Sequence, residues 1–142
     1  MLPVAVLGKT KKIDKKEMFT GCIRIGEGVF WYKNGGLHRT DGPATERTNG
    51  TKEWYRNGKF HRTDGPAIEC YNGTKHWYQN GESYRINGPS IELYNGTKYW
   101  YQNNKLHRTD GPAIERNNGK NSWYQDGKYQ RGWRPSKLEW TK

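Results

Sequence analysis

A Trp-Tyr pair returns every 23 residues along most of the chain, and this period constrains the fold more than any other feature of the sequence. The tryptophans of the five pairs are Trp31, Trp54, Trp77, Trp100 and Trp123. Such a strict period predicts an array of one small structural unit that buries thin layers between neighbouring copies. The composition agrees, because only 31% of residues are hydrophobic whereas 14% are aromatic.

Each unit has the pattern of short strands joined by tight turns. Asn57-Gly58 and Asn72-Gly73 both lie between β-rich segments, which is the signal for a two-residue type I′ hairpin turn. Asp64-Gly65-Pro66 interrupts the pairing between them, because proline has no N–H to donate. The sequence therefore predicts an all-β fold, an elongated twisted antiparallel sheet that is a meander of hairpins.

Three segments follow from where the repeat holds. Residues 1–29 are interpreted as a basic N-terminal arm with a degenerate first repeat. Residues 30–130 form the repeat array, and residues 131–142 form a C-terminal cap or tail. Terminal units of an array are expected to be atypical because they must cover its open ends.

Two-residue turns also predict which side chains face each other. Counting from the turn at Asn57-Gly58 places Tyr55 opposite Phe60, and counting from Asn72-Gly73 places Ile68 opposite Trp77. Neighbouring residues of a strand project to opposite sides of the sheet. We therefore expect a buried side of Trp and Ile, and a partly wet side of Tyr with Phe or Leu.

This unit resembles the MORN repeat, over roughly residues 30–130. Residues 54–61, Trp-Tyr-Arg-Asn-Gly-Lys-Phe-His, match the first part of the family pattern, and Asn72-Gly73 matches its second turn. Where the family has glycine after the histidine, this chain has Arg-Thr-Asp-Gly-Pro, as in a divergent group similar to arrays of phages and large DNA viruses. The resemblance implies an elongated sheet, often dimeric, with a scaffold or partner-binding role.

The positive charge lies mainly at the two ends. Residues 1–33 contain seven Lys/Arg against three Asp/Glu, and residues 120–142 contain six against two. The repeat body, residues 34–119, contains twelve against nine, of a net +11 for the chain. A basic groove for nucleic acid would place the excess on the repeats themselves.

The repeated polar residues favour structural roles over catalysis. His38, His61 and His107 occupy one repeat position, which we place about three strands, roughly 14 Å, apart, too far for one metal ion. Three further columns are interpreted as ion pairs and turn caps, with a ligand-binding ladder as the alternative: Arg39, Arg62, Arg85 and Arg108, Asp41, Asp64 and Asp110, and Glu46, Glu69, Glu92 and Glu115. We find no phosphate loop, paired Cys-x-x-Cys or nucleophile turn. We therefore expect no enzyme activity, no cofactor and no metal.

Two cysteines, Cys22 and Cys70, are too few for a disulfide framework and are expected to be free thiols. The sequence has neither the pattern of a secretory leader nor a span of about 20 apolar residues. We therefore expect a cytoplasmic protein.

The leading hypothesis is a non-enzymatic module that binds a protein partner through an aromatic and polar face of the sheet. The viral resemblance implies that this partner could be a host protein, which the chain binds or inhibits in the host cytoplasm. The expected contact residues are Tyr55, Tyr78, Tyr101, Phe60, Leu106, Arg62 and Arg108.

Two alternatives remain open. Nucleic acid could stack on the aromatic residues, with phosphate contacts from the basic ends. These basic residues are Lys11, Lys12, Lys15, Lys16, Arg131 and Arg134. Association with anionic membrane lipids is a third and less favoured hypothesis, and the resemblance leaves a homodimer open.

Overall fold

The computed structural model describes the backbone of residues 4–6 and the whole of residues 19–132. Trp133, Leu138 and Trp140, which were expected to cap the last unit, lie outside the described residues. The described residues contain strands and no helix. The strands are β1 Val4–Val6, β2 Gly21–Ile25, β3 Gly28–Lys33, β4 Gly36–Leu37, β5 Thr45–Arg47, β6 Lys52–Glu53, β7 Tyr55–Arg56, β8 Lys59–Phe60, β9 Ile68–Glu69, β10 Lys75–His76, β11 Tyr78–Gln79, β12 Glu82–Ser83, β13 Ile91–Glu92, β14 Lys98–Tyr99, β15 Tyr101–Gln102, β16 Lys105–Leu106, β17 Ile114–Glu115, β18 Tyr124–Gln125 and β19 Lys128–Tyr129.

The strands form one long sheet with a row of hairpins beside it. The long sheet has the order β1-β2-β3-β5-β6-β9-β10-β13-β14-β17. The hairpin row consists of β3–β4, β7–β8, β11–β12, β15–β16 and β18–β19. All pairs are antiparallel except β1–β2, which is parallel. The predicted all-β meander of hairpins is therefore confirmed.

Each 23-residue unit gives two strands to the long sheet and one hairpin to the row. The hairpins are tied to each other, for example by the bond from the Gly58 N–H to the Leu37 carbonyl at 2.9 Å. The units thus advance by two strands, or roughly 10 Å, rather than by the three strands expected from the sequence.

The turn at Asn57-Gly58 is the predicted one. Both residues have positive φ, 51° and 73°, as a type I′ turn requires. Tyr55 pairs with Phe60 and Arg56 pairs with Lys59, so the predicted register of this hairpin is confirmed.

The turn at Asn72-Gly73 differs from the prediction by one residue. The Cys70 N–H donates to the Thr74 carbonyl and the Gly73 N–H donates to the Cys70 carbonyl, both at 2.9 Å. Only Gly73 has a positive φ, 87°, so Tyr71–Gly73 form a three-residue loop. The Asn72 side-chain oxygen accepts the Thr74 N–H at 3.0 Å, which places this asparagine in a type I turn.

The longer loop moves every side chain of one strand to the other side of the sheet. Ile68 pairs with His76, not with Trp77, and Ile91 pairs with Tyr99. The predicted Trp–Ile side was therefore wrong, since the isoleucines share the side of the tyrosines.

Small buried residues take the place of isoleucine on the tryptophan side. Ala67, for instance, lies between Trp54 and Trp77 of the two adjacent strands. This position follows because the next residue, Ile68, pairs with Glu53 on one side and with His76 on the other. The Trp54 N–H donates to the Ala67 carbonyl at 2.8 Å. The small residues are almost completely buried, with Ala44, Ala67 and Ala113 at 0% exposure and Ser90 at 1%. Large and small side chains thus alternate from strand to strand along this side.

Replacing Ala67 with leucine tests this alternation. The extra methyl groups would have to displace an indole ring on either side, and overpacking of this kind costs about 1–3 kcal/mol. We expect a lower urea midpoint of unfolding for Ala67→Leu. Thr63→Leu, at an exposed position of the preceding loop, serves as the control and should leave the midpoint nearly unchanged. Equal midpoints for the two variants would contradict the packing described above.

Candidate functional site

The hairpin row carries a strip of aromatic and aliphatic side chains, which we call the tyrosine strip. Directly paired residues project to the same side of a sheet, so each hairpin contributes one pair. The pairs are Tyr32 with Leu37, Tyr55 with Phe60, Tyr78 with Ser83, Tyr101 with Leu106 and Tyr124 with Tyr129. The structure thus brings five predicted contact residues, Tyr55, Phe60, Tyr78, Tyr101 and Leu106, to one side of the molecule.

The rings of this strip bury one another. Tyr55 stacks on Phe60 with ring centroids 4.3 Å apart, and Phe60 stacks on Tyr78 of the next hairpin at 5.4 Å. The three rings are half-buried. Ser83 then interrupts the aromatic series, because it stands where the other hairpins carry Leu, Phe or Tyr.

Burial further disfavours ionisation of two phenols of the strip. It raises the pKa of Tyr55 to about 12, with a smaller contribution from the nearby Glu53 carboxylate. Burial also raises the pKa of Tyr101, and the neighbouring Tyr99 and Tyr78 add to the effect. The strip therefore offers apolar ring surface together with uncharged hydroxyl groups, a combination that is common in protein interfaces.

The arginines of the repeat lie over the tryptophans on the other side. The guanidinium carbon is 3.9–4.1 Å from the indole centroid in Arg39–Trp31, Arg62–Trp54, Arg85–Trp77 and Arg108–Trp100. We call each arginine, its tryptophan and the bound carboxylates an arginine–tryptophan clamp. A Cβ on Gly65 would lie 2.9 Å from the Arg62 guanidinium carbon, which explains the glycine in Asp-Gly-Pro.

The clamp of Arg62 shows how the donors are used. Its Nε donates to Asp64 Oδ1 at 3.0 Å, while Nη1 donates to the Pro66 carbonyl at 3.2 Å and to Glu69 Oε1 at 2.8 Å. Arg108 makes the same three kinds of contact. The two arginines that were predicted to anchor a partner thus lie apart from the tyrosine strip and bind carboxylates of their own unit.

The histidine column joins neighbouring hairpins. The Nδ1 atom of His61 accepts the Asn80 N–H at 3.2 Å and lies 3.0 Å from the Asn80 side-chain oxygen. Asp126 replaces this asparagine opposite His107. Within residues 4–6 and 19–132, no three side chains of His, Cys, Asp or Glu are grouped as a metal site would need. The same part of the chain has no helix long and apolar enough to cross a membrane.

The basic residues considered for nucleic acid are mostly outside the described residues. These are Lys11, Lys12, Lys15, Lys16 and Arg134. Arg131 is exposed in the last described turn.

Sequence reasoning missed two exposed aromatic residues at loop tips. Tyr71 and Tyr94 are each 70% exposed at the start of the three-residue loops. The prediction of a two-residue turn placed Tyr71 at the end of a strand. The signal that could have found it is the Asn-Gly-Thr sequence, in which the asparagine side chain accepts the threonine N–H.

Comparison with protein families, with curated proteins and with solved structures gives no significant match. Membership of the MORN family therefore stays a prediction from the repeat pattern.

The clamps predict an acid-sensitive array. A hydrogen bond from the arginine of each unit lowers the pKa of Asp41, Asp64 and Asp110. A carboxylate whose native pKa is lowered stabilises the fold above its unfolded pKa of about 3.9, and this stabilisation is lost as pH falls through the native value. We expect urea midpoints to fall on acidification below about pH 4, and to fall less when the three aspartates are replaced by asparagine. Parallel pH profiles of the two proteins would contradict this role of the clamps.

The raised pKa of Tyr55 predicts a loss of stability at alkaline pH. Its native pKa of about 12 lies above the ordinary value of 10.0, so the folded chain holds the phenol proton more tightly than the unfolded chain. This contribution is complete below about pH 10 and is lost as pH rises toward the native pKa. Urea midpoints of the wild type should decline more over this range than those of Tyr55→Phe. A Tyr55 ring resonance that titrates near its ordinary pKa would contradict the burial of this phenol.

Proposed function

We propose that this chain is a non-enzymatic repeat module that binds a protein partner through the tyrosine strip. The observation that carries the proposal is the strip itself, which runs along one side of consecutive hairpins as half-buried rings and uncharged hydroxyls. The pairs of elements in strongest contact are all neighbours within the sheet or the hairpin row.

The size of the strip is suited to a protein interface. Each unit advances two strands, or roughly 10 Å, so the four hairpins from β7 to β19 extend roughly 40 Å. Standard protein interfaces bury about 800 Å² on each partner, which such a patch can supply. Tyrosine contributes a large rigid contact area and loses little conformational entropy on binding.

The hairpins hold the strip in a fixed arrangement. Backbone bonds connect the first three hairpins, for example from the Arg62 N–H to the Tyr78 carbonyl at 3.1 Å. The ring stacking of Phe60 on Tyr78 spans the same junction. A surface that is already ordered before binding keeps more of its contact energy as affinity.

The resemblance to MORN-type arrays of phages and large DNA viruses supports one extension of the proposal. The partner would then be a host protein, and binding would take place in the host cytoplasm. Copurification of a host protein with the intact chain, but not with a strip variant, is the finding that this extension requires.

The first test removes three rings of the strip. Tyr55→Ala, Tyr78→Ala and Tyr101→Ala, combined in one chain, should abolish capture of the protein partner from extracts of the native cell. The matched control replaces Lys52, Lys75 and Lys98, which lie exposed on the tryptophan side, with alanine and should capture normally. Circular dichroism and the urea midpoint show whether each variant is folded.

The second test blocks the strip without removing a ring. Cys70 is on the side of the tyrosines, because it lies two residues after Ile68, which pairs with His76 on that side. The other cysteine, Cys22, is buried. Burial raises the pKa of the Cys70 thiol, so labelling with a bulky maleimide needs mildly alkaline buffer. The adduct should prevent capture, and Cys70→Ser treated in the same way should remain active. Undiminished capture by the labelled chain and by the alanine variant would overturn the proposal.

Nuclease treatment separates this proposal from nucleic-acid binding. Capture of a protein that persists after nuclease treatment and is weakly affected by salt agrees with the tyrosine strip. Capture that disappears with nuclease and falls steeply with salt concentration would assign the chain to nucleic acid instead.

A further inference from the structure

One unit departs from the repeat at several neighbouring positions. Between Ser83 and Ser90 five residues differ in type from those at the same positions of the flanking units, while Arg85, Gly88 and Pro89 are retained. The changes are Ser83 for Leu or Phe, Tyr84 for His, Ile86 for Thr, Asn87 for Asp and Ser90 for Ala. The buried hydroxyl groups of Ser83 and Ser90 have no hydrogen-bond partner among the described residues. Buried atoms without a partner also occur in regular units, as at Thr45 Oγ1, so it is the grouping of five changes that distinguishes this unit.

The hairpin of this unit, β11–β12, is joined to the next hairpin, β15–β16, differently from the other pairs of neighbouring hairpins. At the other junctions an arginine N–H donates to the tyrosine carbonyl of the next hairpin, as from Arg62 to Tyr78 at 3.1 Å and from Arg108 to Tyr124 at 3.1 Å. Within the described part of the chain, the corresponding bond from Arg85 to Tyr101 is not made. At the other junctions a turn glycine also donates its N–H to a carbonyl of the preceding hairpin, as from Gly81 to Phe60. Asn104 stands at this glycine position here, and its side-chain oxygen accepts the Ser83 N–H at 2.9 Å.

A cleft of about 540 Å³ lies at this junction, compared with about 420 and 310 Å³ for the clefts at the two preceding junctions. Its walls include Tyr84, Arg85 and Ile86 on one side and Trp100, Tyr101 and Arg108 on the other, together with the carboxylates of Glu82 and Asp110. The volume is in the range of about 300–1,000 Å³ that is typical of ligand sites. Ile86 is 77% exposed and Tyr84 is 43% exposed at the cleft, so apolar surface is available to a ligand.

Arg85 has fewer internal partners than the other clamp arginines. It stacks on Trp77 at 3.9 Å, and its Nη1 donates to Glu92 Oε1 at 2.6 Å and to the Pro89 carbonyl at 3.2 Å. Its Nε, however, has no carboxylate partner among residues 19–132, because Asn87 occupies the position at which an aspartate binds the arginine in the flanking units. The guanidinium is thus held in place by Nη1, and its Nε–H is free.

We propose that this cleft binds an extended acidic peptide segment of a partner protein. An aspartate or glutamate of the segment accepts the Arg85 Nε–H, as the aspartate of the unit itself does in the flanking clamps. The segment's backbone accepts the Arg85 N–H and donates to the Tyr101 carbonyl, in place of the direct bond between these groups that the other junctions have. An apolar side chain next to the carboxylate packs on Ile86 and Tyr84.

The unused Arg85 Nε–H favours an acidic segment over other occupants. Asn87 stands where the flanking units have an aspartate, so Arg85 lacks a carboxylate of the kind that Arg62 and Arg108 bind through Nε, whereas Glu82 stands where those units have a lysine. A preformed guanidinium with an unused N–H donor is suited to a carboxylate, since hydrogen bonds between charged groups are about twice as strong as neutral ones. This inference does not depend on the tyrosine strip, because its contacts come from the residues between Tyr84 and Asn87 and from backbone groups.

The test uses the whole chain labelled with ¹⁵N and two capped peptides, Ac-Ala-Ile-Asp-Ile-Ala-NH₂ and its Asn counterpart. We expect the Asp peptide to shift the Arg85 backbone N–H and Nε–H resonances in a saturable manner. The Asn peptide should bind at least about tenfold more weakly, because it lacks the charged acceptor. The Nε–H resonances of Arg62 and Arg108 should not respond, since their carboxylates are internal.

A pair of matched variants makes the test specific. Asn87→Asp restores the internal carboxylate, keeps the fold of the neighbouring units and should weaken the Asp peptide by at least about tenfold. Asp64→Asn, the same change in reverse at another unit, should leave the affinity at Arg85 unchanged. Equal affinity for the two peptides, undiminished binding to Asn87→Asp, or no saturable shift at millimolar peptide would each overturn the proposal. Stronger shifts of the same resonances by an oligothymidylate would also overturn it, in favour of phosphate.

Discussion

The stacking of an arginine on the tryptophan of four successive units is the interaction on which the rest of this structure depends. A sheet one layer thick cannot bury a large apolar core, and the fully buried side chains here are small ones such as Ala67 and Thr45. Cation–π contacts contribute about 0.5–2 kcal/mol each, and a guanidinium bound to carboxylates adds charge-assisted hydrogen bonds. Repeated in four units, these clamps explain how a chain with a mean hydropathy of −1.25 forms an ordered sheet. The stabilisation is local to each unit, as expected for an array in which neighbours contact only neighbours.

The clamps also give the two sides of the sheet different properties. On the tryptophan side, lysines alternate across the strands with glutamates, as in Glu69 between Lys52 and Lys75, so charges are largely matched there. The tyrosine side has the rings and the isoleucines, and its polar groups are mostly uncharged hydroxyls. The arginine clamps are thus confined to the tryptophan side, and the tyrosine strip occupies the other.

The sequence was sufficient for the fold class and for one of the two turns. Asn57-Gly58 needs positive φ at both residues, and few arrangements other than a type I′ hairpin provide it. Asn72-Gly73 has the same two letters, but the following Thr74 offers its N–H to the asparagine side chain, which favours a longer loop. That competition between a side-chain bond and a backbone conformation decides the register. The Asn-Gly pair alone does not reveal this competition, and the isoleucines were therefore predicted on the wrong side of the sheet.

The residues of the candidate site were predictable to a similar extent. Period and alternation were enough to place Tyr55, Tyr78 and Tyr101 on one side, because these depend only on local geometry. The ion pairs of Arg62 with Asp64 and Glu69 agree with the structural interpretation of these columns. Its place over Trp54 was not predictable from local geometry, since its side chain reaches seven residues along the chain to Glu69 through a loop. Its role follows from where that loop turns, which depends on the buried Ala67 and its two tryptophan neighbours.

A repeat array makes its exceptions informative, because every position has copies that show what packing alone requires. The clamps of Arg39, Arg62 and Arg108 show that an aspartate is compatible with the fold at the position of Asn87. Ala44, Ala67 and Ala113 show the same for alanine at the position of Ser90, whose hydroxyl is buried without a partner among the described residues. Packing therefore does not account for either residue, and the departures coincide with the one hairpin junction, among those described, that lacks the arginine-to-tyrosine backbone bond. These changes therefore lie together at the junction whose cleft we propose as a peptide site.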